Sequence, residues 1–236
     1  MHLAILMTNT DESAFADAHP RDGAKFTDMI RSVRPDWTTE VFAVKDGIFP
    51  GDLARFDGVM ITGSPASVND GDAWTARLLD LIRAMVAEGV PIFGACYGHQ
   101  AVAKALGGSV GANAGGFVHG LDRNDVINRM PWMDGLPDNL HLYASHKEQV
   151  TVPPAEARIL TRSEAAPVTG MAIGTKVYTT QHHPEMSRDF IAALTGEMVD
   201  TLGPEATDAA LRSLDSPADG QPFAESVARF FEQAAS

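Results

Sequence analysis

The stretch Val90-Pro91-Ile92-Phe93-Gly94-Ala95-Cys96-Tyr97-Gly98-His99-Gln100 contains the single cysteine of a 236-residue chain. A short apolar run enters Gly-x-Cys-x-Gly, and the helix-forming segment Ala101-Val102-Ala103-Lys104-Ala105-Leu106 leaves it. This is the layout of a nucleophile elbow: a strand stops, one residue takes a strained backbone conformation, and a helix departs at once. Side chains at the two flanking glycines would clash in so sharp a turn. Cys96 then stands at a helix N-terminus, where unpaired amides and the helix dipole favour a thiolate. A lone cysteine is otherwise a small buried hydrophobe; the flanking sequence favours the functional reading.

Composition narrows the class without naming a function. Apolar content of 44% and charged content of 21% are those of a water-soluble globular protein. One cysteine forms no internal disulfide, so a reducing cytoplasm is the expected setting. The segment Met1-His2-Leu3-Ala4-Ile5-Leu6-Met7 lacks a basic start and reads as a first strand, not a signal peptide. No apolar run is long enough to cross a membrane. A net charge of -13 argues against nucleic acid or an anionic membrane as the main partner.

Away from the elbow the chain alternates strand and helix. Strands are expected at 3–7, 39–44 and 58–62, with amphipathic helices at 23–33 (Phe26, Met29, Ile30, Val33) and 74–88 (Leu78, Leu79, Ile82, Met85, Val86). This order predicts an α/β fold: an open, mostly parallel twisted sheet with helices on both faces. Between 107 and 180 come short strand-like pieces at 140–144, 149–152, 158–161, 168–172 and 176–180, expected as hairpins added to the sheet edge. From Ser187 the pattern is helical, with a break at Ser216-Pro217-Ala218-Asp219-Gly220. Residues 1–195 are read as one catalytic domain, and 196–236 as a helical appendage packed on it.

A cysteine nucleophile needs a base, and eight histidines are available. His183 is the best placed, in Val177-Tyr178-Thr179-Thr180-Gln181-His182-His183-Pro184-Glu185. The strand is expected to run to His183 and stop at Pro184, at the sheet end where catalytic residues of open α/β folds gather. Glu185 would hold the second ring nitrogen and stabilise the imidazolium. The alternatives are a metal group (His182, His183, Glu185) or surface histidines. A structural zinc site wants four ligands, and no cysteine is spare.

Three motifs now converge on a family. Gly94 to Gln100 resembles the nucleophile motif of class I (triad-type) glutamine amidotransferases, Gln181 to Glu185 its histidine-glutamate motif, and Ile61-Thr62-Gly63-Ser64-Pro65-Ala66-Ser67-Val68 its oxyanion-loop segment. The resemblance, to members such as GMP-synthetase glutaminase domains and γ-glutamyl peptidases, implies a flavodoxin-like domain. It also implies a Cys-His-Glu triad that attacks the glutamine side-chain amide, forms a glutamyl thioester and releases ammonia. By position Cys96 is the nucleophile, His183 the acid/base and Glu185 the orienting carboxylate. The amides of Gly63 and Tyr97 form the oxyanion hole, and Gln100 helps bind the glutamyl group. Ser64 stands where a second glycine is frequent, which leaves the loop's amide geometry open, and it is counted among the substrate-binding residues. His182 replaces a bulky or aromatic residue and is expected to pack. Tyr143-Ala144-Ser145-His146-Lys147-Glu148-Gln149-Val150 resembles a family segment near the active site, leaving His146 either substrate-binding or structural; His99 is expected to be structural. The reading calls for no metal and no cofactor.

A synthetase normally consumes the ammonia, yet no Gly-x-x-x-x-Gly-Lys-Ser/Thr loop for ATP is present. Three readings follow: a stand-alone hydrolase of glutamine or a γ-glutamyl compound, a glutaminase subunit serving a separate synthetase, and a degenerate member that only binds ligands. The intact Cys96, His183 and Glu185 set disfavours the third, and Ser64 with the helical tail favours the first.

Overall fold

A computed structural model describes residues 1–235. The first half is built as β1 (His2–Met7), α1 (Ala14–Asp17), α2 (Asp22–Val33), β2 (Thr38–Ala43), β3 (Gly58–Ile61), α3 (Ala73–Glu88), β4 (Ile92–Ala95) and α4 (Tyr97–Ala105). The second half continues with β5 (Ser109–Ala112), β6 (Val118–Val126), β7 (Asn139–His146), β8 (Glu148–Val152), β9 (Ala157–Ser163), β10 (Gly170–Ile173) and β11 (Val177–Thr180). Four helices close the chain: α5 (Arg188–Glu197), α6 (Val199–Leu202), α7 (Pro204–Ser213) and α8 (Gly220–Ala234).

Nine strands form one sheet in the order β2-β1-β3-β4-β11-β10-β9-β6-β7. Its first five members are parallel and the rest join antiparallel. Strand alternation divides the core. Leu3 and Ile5 of β1 face α2 and α8 with Phe26, Ile30, Phe230 and Phe231. Ala4 and Leu6 face α3 and α4 with Leu78, Ile82, Ala101 and Val102. The expected α/β sheet with helices on both faces is the observed one.

Two local expectations are corrected, and one strand was not expected. The piece at 149–152 leaves the main sheet and pairs with β5 in a two-stranded sheet of its own. β6 has no apolar alternation to announce it, being Val-His-Gly-Leu-Asp-Arg-Asn-Asp-Val, and owes its strand conformation to pairing with β7 and β9. The strand before His183 stops at Thr180. Beyond it the chain peels off the ladder: the Gln181 amide donates to the Thr169 carbonyl (2.8 Å) and the His183 amide to that of Tyr143 (2.8 Å). The last helix, within the expected appendage, is part of the main core: Phe230 and Phe231 are fully buried and Phe230 meets Trp132 at 5.1 Å.

Candidate active site

The elbow is a consequence of close packing. A Cβ on Gly98 would lie 2.5 Å from the carbonyl oxygen of Ile61, and one on Gly94 would lie 2.8 Å from the Gly98 backbone. β3, β4 and the first turn of α4 can therefore approach only as glycines allow. Between the two glycines Cys96 takes φ 50°, ψ -105°, the one positive φ outside glycine among the described residues. Its amide donates to the Thr180 carbonyl (2.9 Å), fixing the elbow to the end of β11. Because β11 lies beside β4 in register, the segment after Thr180 is delivered next to Cys96.

His183 is buried beside it. Its Nδ1 pairs with Glu185 Oε1 at 2.7 Å, and both side chains are nearly inaccessible to solvent. Nε2 is buried with no hydrogen-bond partner, on a ring whose neighbours include Cys96. Burial opposes a charged ring here. The carboxylate of Glu185 and then the neighbouring Cys96 sulfur outweigh it and hold His183 well above the ordinary imidazole range. The remaining oxygen of Glu185 is also buried and unpartnered.

Gly63 completes the front of the site. A Cβ there would come within 2.8 Å of His183 Cε1 and 3.5 Å of Cys96 Cβ, so the loop passes over the histidine only without a side chain. Thr8 holds it: the Thr8 hydroxyl lies 2.9 Å from the carbonyl oxygens of both Thr62 and Gly63. The amides of Gly63 and Tyr97 have no protein acceptor among the described residues. For Tyr97 this follows from its place in the first turn of α4, where helix amides lack intrahelical partners. Its ring is turned away, stacked on Trp74 (5.4 Å) with its hydroxyl 2.8 Å from that of Thr75.

The other expected residues are placed less uniformly. Ser64 lines a recess with Gly63 and His183, and its hydroxyl accepts from the Ala66 amide (3.2 Å). Gln100 and His146 do not line that recess. Gln100 Nε2 donates to the Glu148 carbonyl (2.8 Å) and Gln181 Oε1 (3.2 Å), leaving its own oxygen without a protein partner. His146 is buried with Nδ1 on the Glu148 carbonyl (3.0 Å), and burial first, then the charge of His182, lowers its pKa to about 3. His99, between Thr179 (2.8 Å) and the Val168 carbonyl (3.2 Å), is likewise lowered by burial to about 3 and is structural. His182 packs at the edge of His146 and also pairs with Asp122 at 2.8 Å. The two neighbouring histidines thus engage different carboxylates, and no group of three or more His, Cys, Asp or Glu among the described residues is arranged for a metal ion. No described helix is long and apolar enough to cross a membrane.

Sequence reasoning missed Thr8, Asp122 and His119. His119 bridges Ser145 (3.2 Å) and Thr195 (2.9 Å), and burial, then the charge of His183, lowers its pKa to about 4. All three stand on strands or loops distant in sequence from the motifs, and no local pattern marks them.

Comparison with known proteins bears on the family and the fold. Residues 30–189 match the family model described as Glutamine amidotransferase class-I. The chain is 35% identical over 134 residues to a GMP synthase [glutamine-hydrolyzing] of Aeropyrum pernix, an overlap of 57% of this chain and 25% of that protein. It is 28% identical to Gamma-glutamyl peptidase 3 of Arabidopsis thaliana, with 64% of each covered. With Gamma-glutamyl peptidase 5 of the same plant the identity is 27% over 206 residues, 83% of this chain and 80% of that one. The chain thus spans a quarter of the first relative and just under two thirds of the second. Among solved structures, a glutamine amidotransferase from Thermotoga maritima superposes with a TM-score of 0.81 at 18% identity, covering 98% of both chains. One from Methylobacillus flagellatus gives 0.74 at 24% identity, covering 98% of this chain and 94% of that one. At these identities the likeness is one of fold.

Proposed function

Since the chain belongs to the class-I glutamine amidotransferase family, we propose that it is a cysteine-dependent amidohydrolase that cleaves the γ-glutamyl amide bond of glutamine or a γ-glutamyl compound without a partner. The observation that carries this reading is Cys96, strained at a helix N-terminus beside a buried His183 whose far nitrogen is 2.7 Å from Glu185.

In this mechanism Cys96 Sγ attacks the amide carbonyl carbon, and the carbonyl π electrons move to oxygen. The Gly63 and Tyr97 amides receive that oxyanion. As the tetrahedral species collapses, the carbon–nitrogen bond breaks and His183 Nε2 gives its proton to the departing amine. The product is a glutamyl thioester on Cys96. Water then adds to the thioester while His183 takes one of its protons, and glutamate leaves as the thiolate re-forms. Glu185 keeps Nδ1 protonated and balances the imidazolium. Gln100, with its oxygen unpaired, is suited to accept from the glutamyl α-amino group, and Ser64 borders the recess next to Gly63. No step calls for a metal or cofactor. A cytoplasmic setting, where the thiol stays reduced, suits this chemistry.

The second reading, a glutaminase delivering ammonia to a separate synthetase, is favoured by the overlap with one quarter of a GMP synthase. The test is to purify the chain alone and assay glutamine, glutathione and a γ-glutamyl amine for released glutamate. Turnover of γ-glutamyl compounds without ATP is the expected result. Turnover of glutamine alone, and only with an ATP-dependent partner present, establishes the second reading instead.

A further inference from the structure

The recess that holds Gly63, Ser64 and His183 does not end at the triad. It also includes Lys25 and Phe190, and both residues line the neighbouring hollow formed by Phe15 and His19. A groove therefore leads from the proton donor of the mechanism to an aromatic wall. There Phe15, His19 and Phe190 contact one another at 4.4, 5.8 and 5.3 Å between ring centres, and each ring is only partly buried.

The charges of the groove are already satisfied. Lys25 Nζ is 2.9 Å from Asp22 and lies 3.4 Å above the Phe190 ring. Lys45 is held by Glu12 (2.7 Å) and Asp46 (2.8 Å), and Arg21 by Asp17. Each of these cations already has a carboxylate partner. Asp28 and Asp189, on the adjoining wall, are exposed to solvent and add negative charge without a basic partner among the described residues. Beyond the reacting atoms the groove offers the rings of Phe15, His19 and Phe190, one face of Phe190 being covered by Lys25.

We propose that this groove is a leaving-group site that selects γ-glutamyl amides of apolar, above all aromatic, amines. The proposal rests on the hydrolase reading above, because it places the departing amine on the His183 side of the scissile bond. Ring-on-ring contact with Phe15 and Phe190 stabilises such a group, whereas a carboxylate-bearing amine meets paired cations and surplus acids.

The test separates binding from turnover. On Cys96→Ala protein, calorimetry compares γ-glutamylbenzylamide with γ-glutamylglycine and γ-glutamylputrescine, whose tail is a cation. The benzylamide is expected to bind at least tenfold more tightly than the glycine ligand, and more tightly than the diamine, whose cation Asp28 and Asp189 attract but whose chain offers no ring to Phe15 and Phe190. Adding Phe190→Ala or, independently, Phe15→Ala should reduce that advantage by roughly tenfold. Phe15 sits on α1, which contributes no buried residue, so its removal spares the core. Equal affinities, or tighter binding of the glycine or diamine ligand, overturn the proposal. Wild-type protein assayed on the same ligands reports separately on the hydrolase reading: strong selective binding with no hydrolysis refutes that reading while leaving the site in place.

Discussion

Holding Cys96 at φ 50° costs a non-glycine residue about 1–3 kcal/mol, a cost the surrounding elbow must offset. Cys96→Ala is expected to abolish hydrolysis with the fold intact. Cys96→Gly should be equally inactive yet more stable than Cys96→Ala by ~1 kcal/mol in denaturant unfolding, because glycine adopts positive φ without strain. Equal midpoints would show that the elbow stores no strain. A diazo-ketone glutamine analogue should add once to the protein, at Cys96, as read by intact mass. His183→Asn should remove activity without altering bound metal, and Glu185→Gln should cost less, since it acts only through the ring. The remaining buried histidines act on stability. His99 and His146 have pKa values near 3 folded, against about 6.5 when exposed. Between those values the unfolded chain binds more protons, so stability falls as pH drops below about 6.5, by up to ~1.4 kcal/mol per pH unit for each ring. His183 has the opposite sign: its raised pKa contributes stability below 6.5 that is lost on the alkaline side. Acid destabilisation is therefore assigned to His99 and His146, with His119, lowered to about 4, adding to it over the same range, and His99→Gln should reduce the slope of Tm between pH 6 and 4. An unchanged slope would place the protons elsewhere.

Elements differ in how plainly the sequence declares them. β1, β3, β4, α2, α3 and the elbow carry their own signals: apolar runs, helical spacing, and glycines required by contacts as close as 2.5 Å. The grouping of Cys96, His183 and Glu185 was legible for the same reason, since His183 and Glu185 are two residues apart and the cysteine is unique. β6 was not legible, because its polar sequence is shaped by neighbours brought in from β7 and β9. Nor was the Asp122–His182 pair, whose partners lie 60 residues apart. α8 is an intermediate case. Its apolar face is evident, but only the fold shows that Phe230 and Phe231 cover the centre of the sheet beside Trp132 and Tyr178. It follows that the last helix is a stabilising layer. Phe230→Ala is expected to cost about 3–5 kcal/mol in chemical denaturation, the usual loss for a buried phenylalanine. A loss below ~1 kcal/mol would make the helix a detachable appendage after all.

At the scale of the whole molecule, the question is whether the site works alone. Cys96, His183 and Glu185, the free amides and the groove all come from one chain, with β3, β4 and β11 setting the backbone around Cys96 through ladder bonds and glycine contacts. A glutaminase that serves a synthetase gains from staying idle until its partner arrives, because released ammonia is otherwise wasted. Such restraint needs some element of the site to be out of place in the isolated chain. Here His183 is already paired with Glu185 at 2.7 Å, and Gly63 is tied through Thr8, so no displaced element is found among the described residues. The prediction is turnover on the order of 1 per second or faster for a γ-glutamyl amide with purified protein alone, a common enzymic rate. Addition of an ATP-dependent synthetase should leave kcat unchanged. Activation of a hundredfold or more by such a partner, with only glutamine cleaved, would mean that the arrangement around Cys96 is not sufficient, and that the second chain supplies the transition-state contacts this one lacks.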